Sequence, residues 1–337
     1  MKALVLLLLA FSLFSTGFGF SQTTGYCPTN AVFLALETEV RGYSTDANGM
    51  TSPCQILNGP QTTFGTARAI SISPDDYLHV SQFLTNGTVN LFPPNSSGDA
   101  TPSRTITTYT NDLVAIATDS NKTDYILSNR EGSSEVVVVP NSATTPAGSF
   151  FDTDLQVSWC LAIDADNNLL VAGYNSSGVA TIDTFATSAN STAPTRIRRV
   201  QGRSTALLFG NPANPLGNTI AIALDPVTQE LYVYNTDANE DTIQISVFAA
   251  HATGSPAPKR VIRGSATQLG IPGDLGTSKI SVSSDGRLFD AEPNNRILVF
   301  AAGAGGNATP AQIIQDSTLN NQQVDQGGLA VRSCDCQ

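Results

Sequence analysis

The chain has 337 residues, of which 13% are charged, and its formal net charge is −11. An acidic chain without a Lys/Arg cluster lacks the cationic footprint that nucleic acid or an anionic membrane surface requires. No amphipathic helical period of useful length separates its hydrophobic segments, which argues against α/β and helical-solenoid folds.

In chain order, residues 1–21 read as a signal peptide: basic Lys2, an apolar run, then small residues around Gly17 and Gly19. The mature chain, 22–337, is then expected as one domain outside the cytoplasm, extracellular or periplasmic. No later stretch reaches the roughly 20 apolar residues of a membrane helix, so no membrane insertion is expected.

The mature chain opens with two short strand-like segments, "AVFLALE" from Ala31 and "TEVRGY" from Thr38. A recurring unit follows. Its first part is a β-hairpin signature: an alternating strand, an Asp/Asn/Gly-rich turn and a second strand. It is written as "ARAISISPDDYLHV" from Ala67, "LVAIATDSNKTDYIL" from Leu113, "CLAIDADNNLLVAGY" from Cys160, "IAIALDPVTQELYVYN" from Ile220 and "ISVSSDGRLFDAE" from Ile280. A third strand comes next ("TVNLF", "EVVVV", "ATIDTF", "IQISVF", "RILVF"), then a proline-marked phrase leading into a fourth. That phrase recurs as "LFPPNSSGDATPSRTITT" from Leu91, "VFAAHATGSPAPKRVIRG" from Val247 and "VFAAGAGGNATPAQIIQD" from Val299. The marker prolines are Pro53, Pro102, Pro146, Pro194, Pro258 and Pro310, spaced 44 to 64 residues apart.

Six units of four antiparallel strands predict an all-β, six-bladed β-propeller. Small residues such as Ala69, Ala115, Ala117, Ala221 and Ala223 fall in the first strands, where blades converge on the axis. The last unit stops after one strand, "GGLAVR" from Gly327, and the segments from Ala31 supply its missing strands. The N- and C-terminal strands should therefore share one closing blade, leaving no exposed edge. Cys27 precedes that blade's N-terminal strand, so a disulfide to Cys334 or Cys336 is expected, with Cys54 and Cys160 unassigned. The sequons are no more numerous than the Asn, Ser and Thr content gives by chance, so glycosylation is left open.

The order of these segments resembles NHL-repeat and related six-bladed propellers, including exported bacterial YncE-like and streptogramin-lyase-like chains. The resemblance spans the mature sequence. It implies the fold rather than a function, because such propellers include lactonases, lyases, sensors and binding modules.

Catalytic signals are sparse. His79 and His251 are the two histidines, the first expected to pack or face solvent and the second in a loop opposite the mouth. No G-x-S-x-G, H-E-x-x-H or P-loop is present. The face carrying the loops between second and third strands is the expected mouth, with Glu37, Gln82, Asn129, Trp159, Asn235 and Glu292 as its binding residues. The longer connections Arg199 to Asn218 and Gly264 to Lys279 should border it, and Leu207, Leu208 and Phe209 in the first need a packing site or a partner. The expectation is a monomeric, secreted binding module without a cofactor, taking a protein, glycan or small molecule at the mouth. The alternative is a lactonase-like hydrolase, which resemblance to gluconolactonase-like propellers would supply with an axial calcium held by Glu37, Asn129, Asn235 and Glu292.

Overall fold

The computed structural model describes residues 25–82, 87–130, 133–187, 193–214, 219–239, 242–270, 280–292, 296–316 and 328–332. The segment 1–21, expected to be a signal peptide, lies outside them. The closing blade begins with β1 (Ala31–Leu36) and β2 (Glu39–Ser44), followed by the two-residue β3 (Gly49–Met50) and then β4 (Gln55–Asn58). The second blade is β5 (Ala67–Ile72), β6 (Leu78–Gln82), β7 (Thr88–Phe92) and β8 (Arg104–Thr107). The third is β9 (Leu113–Thr118), β10 (Asp124–Arg130), β11 (Ser133–Val139) and β12 (Gly148–Phe151). The fourth is β13 (Val157–Ile163), β14 (Leu169–Tyr174), β15 (Ala180–Ala186) and β16 (Thr195–Val200). The fifth is β17 (Ile220–Leu224), β18 (Leu231–Thr236), β19 (Ile243–Phe248) and β20 (Arg260–Ile262). The sixth is β21 (Ile280–Val282), β22 (Leu288–Glu292), β23 (Arg296–Phe300) and β24 (Gln312–Gln315). Last, β25 (Leu329–Arg332) pairs antiparallel with β1, completing the closing blade. The fold is a six-bladed β-propeller.

The inner strands β5, β9, β13, β17, β21 and β25 contact one another in order, and β25 returns to β5. Their crowding explains the small residues: Ala69, Ala115 and Ala221 are fully buried. At the closing seam a Cβ on Gly328 would stand 2.7 Å from the Ile70 backbone nitrogen, so only glycine fits.

Between blades, the cross-strand row nearest the first hairpin turn forms the core. Four blades write it as an aliphatic residue, Leu and Phe: Ile72–Leu78–Phe92, Ile163–Leu169–Phe185, Leu224–Leu231–Phe248 and Val282–Leu288–Phe300. Each of these Leu and Phe side chains is buried, contributing about 1.5–3 kcal/mol.

The proline-marked phrase owes its repetition to a clasp between blades. After β4, β16 and β20 the chain turns through Gly59, Gly202 and Gly264 (φ 124°, 109° and 126°) into a short 3-10 turn. In each turn a Thr hydroxyl (Thr62, Thr205, Thr267) donates back to the glycine carbonyl at 2.6 Å. The residue after the phrase's own glycine, in the next blade, accepts a turn amide: Asp99 from Gln61 (2.6 Å), Ser255 from Ser204 (3.1 Å) and Asn307 from Ala266 (2.8 Å). Single parallel bridges (Leu57 with Gly98, Val200 with Gly254, Ile262 with Gly306) sit beside each contact. At the seam into the closing blade β24 pairs with β3 in the same way, Ile314 opposite Gly49. "SGDATP", "TGSPAP" and "GGNATP" are thus the blade-to-blade fastening written three times.

The disulfide expectation is corrected. Cys27 is bonded to Cys54; Cys334 and Cys336 lie outside the described residues. The reason is local. The Cys54 N–H donates to the Gly42 carbonyl at 2.9 Å, and a Cβ on Gly42 would come within 2.7 Å of Cys27 Sγ. Bare Gly42 leaves the gap through which Cys27 reaches Cys54. The staple therefore joins two segments of the closing blade and not the chain ends. Cys160 is buried, and its thiol donates to the Ile222 carbonyl at 3.6 Å.

Candidate functional site

The end of each second strand meets the connection that enters its own blade. There Gln82, Asn235 and Glu292 are buried and share one task. Gln82 Oε1 accepts the Gly65 amide hydrogen (3.0 Å), Asn235 Nδ2 donates to the Leu208 carbonyl (2.9 Å), and Glu292 Oε2 accepts the Gly270 amide hydrogen (2.6 Å). Gly65, Leu208 and Gly270 each stand six positions after a clasp glycine (59 to 65, 202 to 208, 264 to 270). A repeated turn thus delivers a repeated backbone group to a repeated polar side chain. These residues latch the mouth connections in place.

Asn129 plays a related part, its amide donating to Ser158 O (2.8 Å) while its oxygen accepts from the Ser134 hydroxyl (2.7 Å). Glu37 stands exposed on the tight turn between β1 and β2. Trp159 is 2% exposed and lies at a β-bulge between Ser158 and Cys160, inside the core rather than at the mouth surface. The four residues expected to hold calcium therefore divide their donors. Both polar atoms of Asn129 are engaged, Asn235 and Glu292 bind backbone groups, and Glu37 is on an exposed turn. A hard cation needs six or more converging oxygens; in this set the Asn129 oxygen and one Glu292 oxygen are already engaged, while the Asn235 oxygen takes no part in its latch. The acidic groupings that do form lie elsewhere: Asp164 and Asp166 with His251, and Asp152, Asp154 and Asp183.

The second grouping is electrostatically unusual. Asp152, just after β12, is buried against Asp183 of β15. Burial, then the shared hydrogen bond and charge of Asp183, push its carboxyl up to about 7, and Arg199 pulls the other way. Arg199 forks onto Asp183 and also reaches Asp154 at 2.8 Å, and the two carboxylates hold its guanidinium firmly protonated. This knot joins the third and fourth blades at the mouth end.

Three of the four exposed aromatic rings among the described residues mark the same end, the fourth being Tyr26 ahead of β1. Tyr109, on the connection from β8 to β9, is 53% exposed; Phe151, at the end of β12, is 54% exposed; Phe209, on the connection from β16 to β17, is 52% exposed. They belong to three successive blade-to-blade connections. Glu135 lies opposite Phe151 in the β11–β12 register, and the Tyr109 hydroxyl donates to its carboxylate at 3.4 Å, so the first two rings flank one acidic group. Leu207 turns inward and is buried, whereas Phe209, two residues on, does not. Of these rings the sequence reading singled out only Phe209. Tyr109 in "TTYTND" and the second Phe of "SFFDTD" carried a weak signal, a lone ring set among polar residues.

No family model and no curated protein matches this sequence. Solved structures match in fold. A protein of unknown function from Bacteroides caccae is 8% identical, with a TM-score of 0.57, over 90% of this chain and 98% of that one. The WD40 β-propeller domain of Doa1 is 11% identical, with a TM-score of 0.50, over 85% of this chain and 79% of that one. At such identities the likeness concerns architecture alone.

Proposed function

We propose that this chain is an exported interaction module, a six-bladed propeller of the NHL-repeat and YncE-like kind, that holds a protein partner on its mouth face. The observation that carries the reading is the set of half-exposed rings, Tyr109, Phe151 and Phe209, on three successive connections. Large rings left in water on one face match the composition of protein-binding surfaces, where aromatic anchors dominate the energetics. The latch of Asn235 supports it, since it holds the connection that carries Phe209 in place before any partner arrives. The Cys27–Cys54 disulfide and the signal-like segment 1–21 support export.

The test is photo-crosslinking from the neighbouring exposed positions of Asn111 and Thr153 in cells of the native host, once in the wild-type background and once in the triple variant Tyr109→Ala/Phe151→Ala/Phe209→Ala. One recurrent crosslinked protein, lost in the variant while its circular dichroism is unchanged, is the expected result. A partner captured equally well by the variant, or capture of glycan alone, would overturn the reading.

A further inference from the structure

Of the five blades whose first hairpin is continuous, one breaks the rule. Where four blades place an aliphatic residue, Leu and Phe beside the first hairpin turn, the third blade places Thr118, Asp124 and Val139. Asp124 is wholly buried at a position that is Leu78, Leu169, Leu231 or Leu288 in the others. Val139 stands at the register position that the larger Phe92, Phe185, Phe248 and Phe300 take elsewhere.

The facing blade departs at the matching place. Its next row reads Ser71, His79, Leu91 and Arg104, and the His79 position elsewhere holds Tyr125, Leu170, Tyr232 or Phe289. The two departures meet. Asp124 accepts from the Thr118 hydroxyl (2.8 Å) and from Arg104 Nη2 (3.1 Å), and His79 Nδ1 stands 3.0 Å from it. Arg198 and Arg260, which occupy the Arg104 position in two other blades, are neutralised by Asp164 and Glu230 in their own blades' hairpin turns. The second blade has Ser73 and Tyr77 there, so the charge of Arg104 is met across the blade boundary.

A buried carboxylate where the same chain elsewhere uses Leu costs several kcal/mol against the apolar alternative. Departures of this kind, clustered on both walls of one cleft, mark a site rather than drift. The cleft opens on the face opposite the mouth and has a volume of about 450 Å³, within the range of small-molecule pockets. At its rim Lys122 pairs with Asp75 at 2.8 Å. Its charged pairs balance, Arg104 and Lys122 against Asp124 and Asp75, so neither an anion nor a cation is favoured. The remaining lining is hydroxyl and amide, including Ser73, Ser103, Thr144 and Asn141, beside the ring of Tyr77. Donors and acceptors alternate next to an aromatic surface, which suits a ligand with many hydroxyls and an apolar C–H face.

We infer that this cleft between the second and third blades binds a neutral sugar of one or two rings. Arg104 and the His79 edge turned away from Asp124 meet its hydroxyls, and Tyr77 meets its C–H face. The site is separate from the mouth, so its failure would leave the protein-binding reading untouched.

The test restores the chain's own rule. In Thr118→Ile/Asp124→Leu/Val139→Phe the third blade carries the row used by four of the other five, which removes the carboxylate that holds Arg104 and faces His79 and should raise the thermal midpoint. Saturation-transfer NMR and calorimetry with a panel of neutral mono- and disaccharides, glucuronate and inorganic phosphate should show a neutral sugar binding the wild-type protein. The repeat-restoring variant should bind it at least roughly tenfold more weakly. Arg104→Ala, which leaves the core row intact, should weaken it as well. Absence of binding by every neutral sugar, binding of glucuronate or phosphate alone, or full binding by the restored variant would overturn the assignment.

Discussion

The Asn307 side-chain oxygen, in the outer hairpin of the sixth blade, accepts the Ala266 amide hydrogen of the turn leaving the fifth at 2.8 Å. A Cβ on Gly264 would come within 2.5 Å of that oxygen, and Gly264 has φ 126°, a region open in practice only to glycine. Gly254, by contrast, has φ 75° with nothing within 4 Å of a Cβ. Gly264→Ala is therefore expected to cost about 2–4 kcal/mol, from strain plus the lost contact, and Gly254→Ala about 1 kcal/mol. Urea midpoints of the two variants check this, and equal losses would contradict it.

The latch at Asn235 gives a second expectation. Asn235→Ala leaves the carbonyl of Leu208 without its donor at a part-buried site. The loss should be about 1–3 kcal/mol. Chemical denaturation measures it. A near-neutral outcome would mean that the connection is held by something else.

Acidity enters through Asp152. Its carboxyl is raised to about 7 by burial and by Asp183, so the folded state holds a proton that the unfolded chain, with an ordinary carboxylate value, releases. Stability from this group is thus complete at low pH and is lost as pH climbs from about 4 through about 7. The effect is on the order of a few kcal/mol. Asp152→Asn should flatten the thermal midpoint over that window and raise it at pH 8. An unchanged slope would refute the assignment.

Removing the staple tests the corrected pairing. Cys54→Ser opens a loop 27 residues long, and the chain-entropy model puts the loss at about 3–4 kcal/mol. Peptide mapping without reduction should recover Cys27 joined to Cys54, with Cys160 alkylated only after unfolding.

Much of the architecture was legible because it is periodic. A strand of alternating residues, a turn and a proline mark recur, and each recurrence adds weight to the same conclusion; even the split blade from Ala31 and Gly327 could be read from what the last unit lacked. The pairing of Cys27 could not, since it depends on the bare backbone of Gly42, a contact of no sequence regularity. Gln82, Asn235 and Glu292 do stand at strand ends, yet a side chain's chemistry does not say whether it faces a ligand or the nearest backbone, and these three bind backbone. Asp124 was passed over for the opposite reason. It lies in "DSNKTDYIL", where a turn-rich stretch makes an acidic residue unremarkable, and only the register shows it standing in a leucine's place.

The closing blade sets how the ring responds to tension. Ala31 lies opposite Arg332, so the arms that carry the chain into β1 and out of β25 leave from the same end of their ladder, the first of them tied at Cys27 to Cys54. A pull on both arms loads those four residue pairs one after another, as a zipper is opened, and not all together in shear. The weakest mechanical element is then this one seam. Once it parts, β25 peels away from β5 and the remaining blades stand as an open arc with two raw edges.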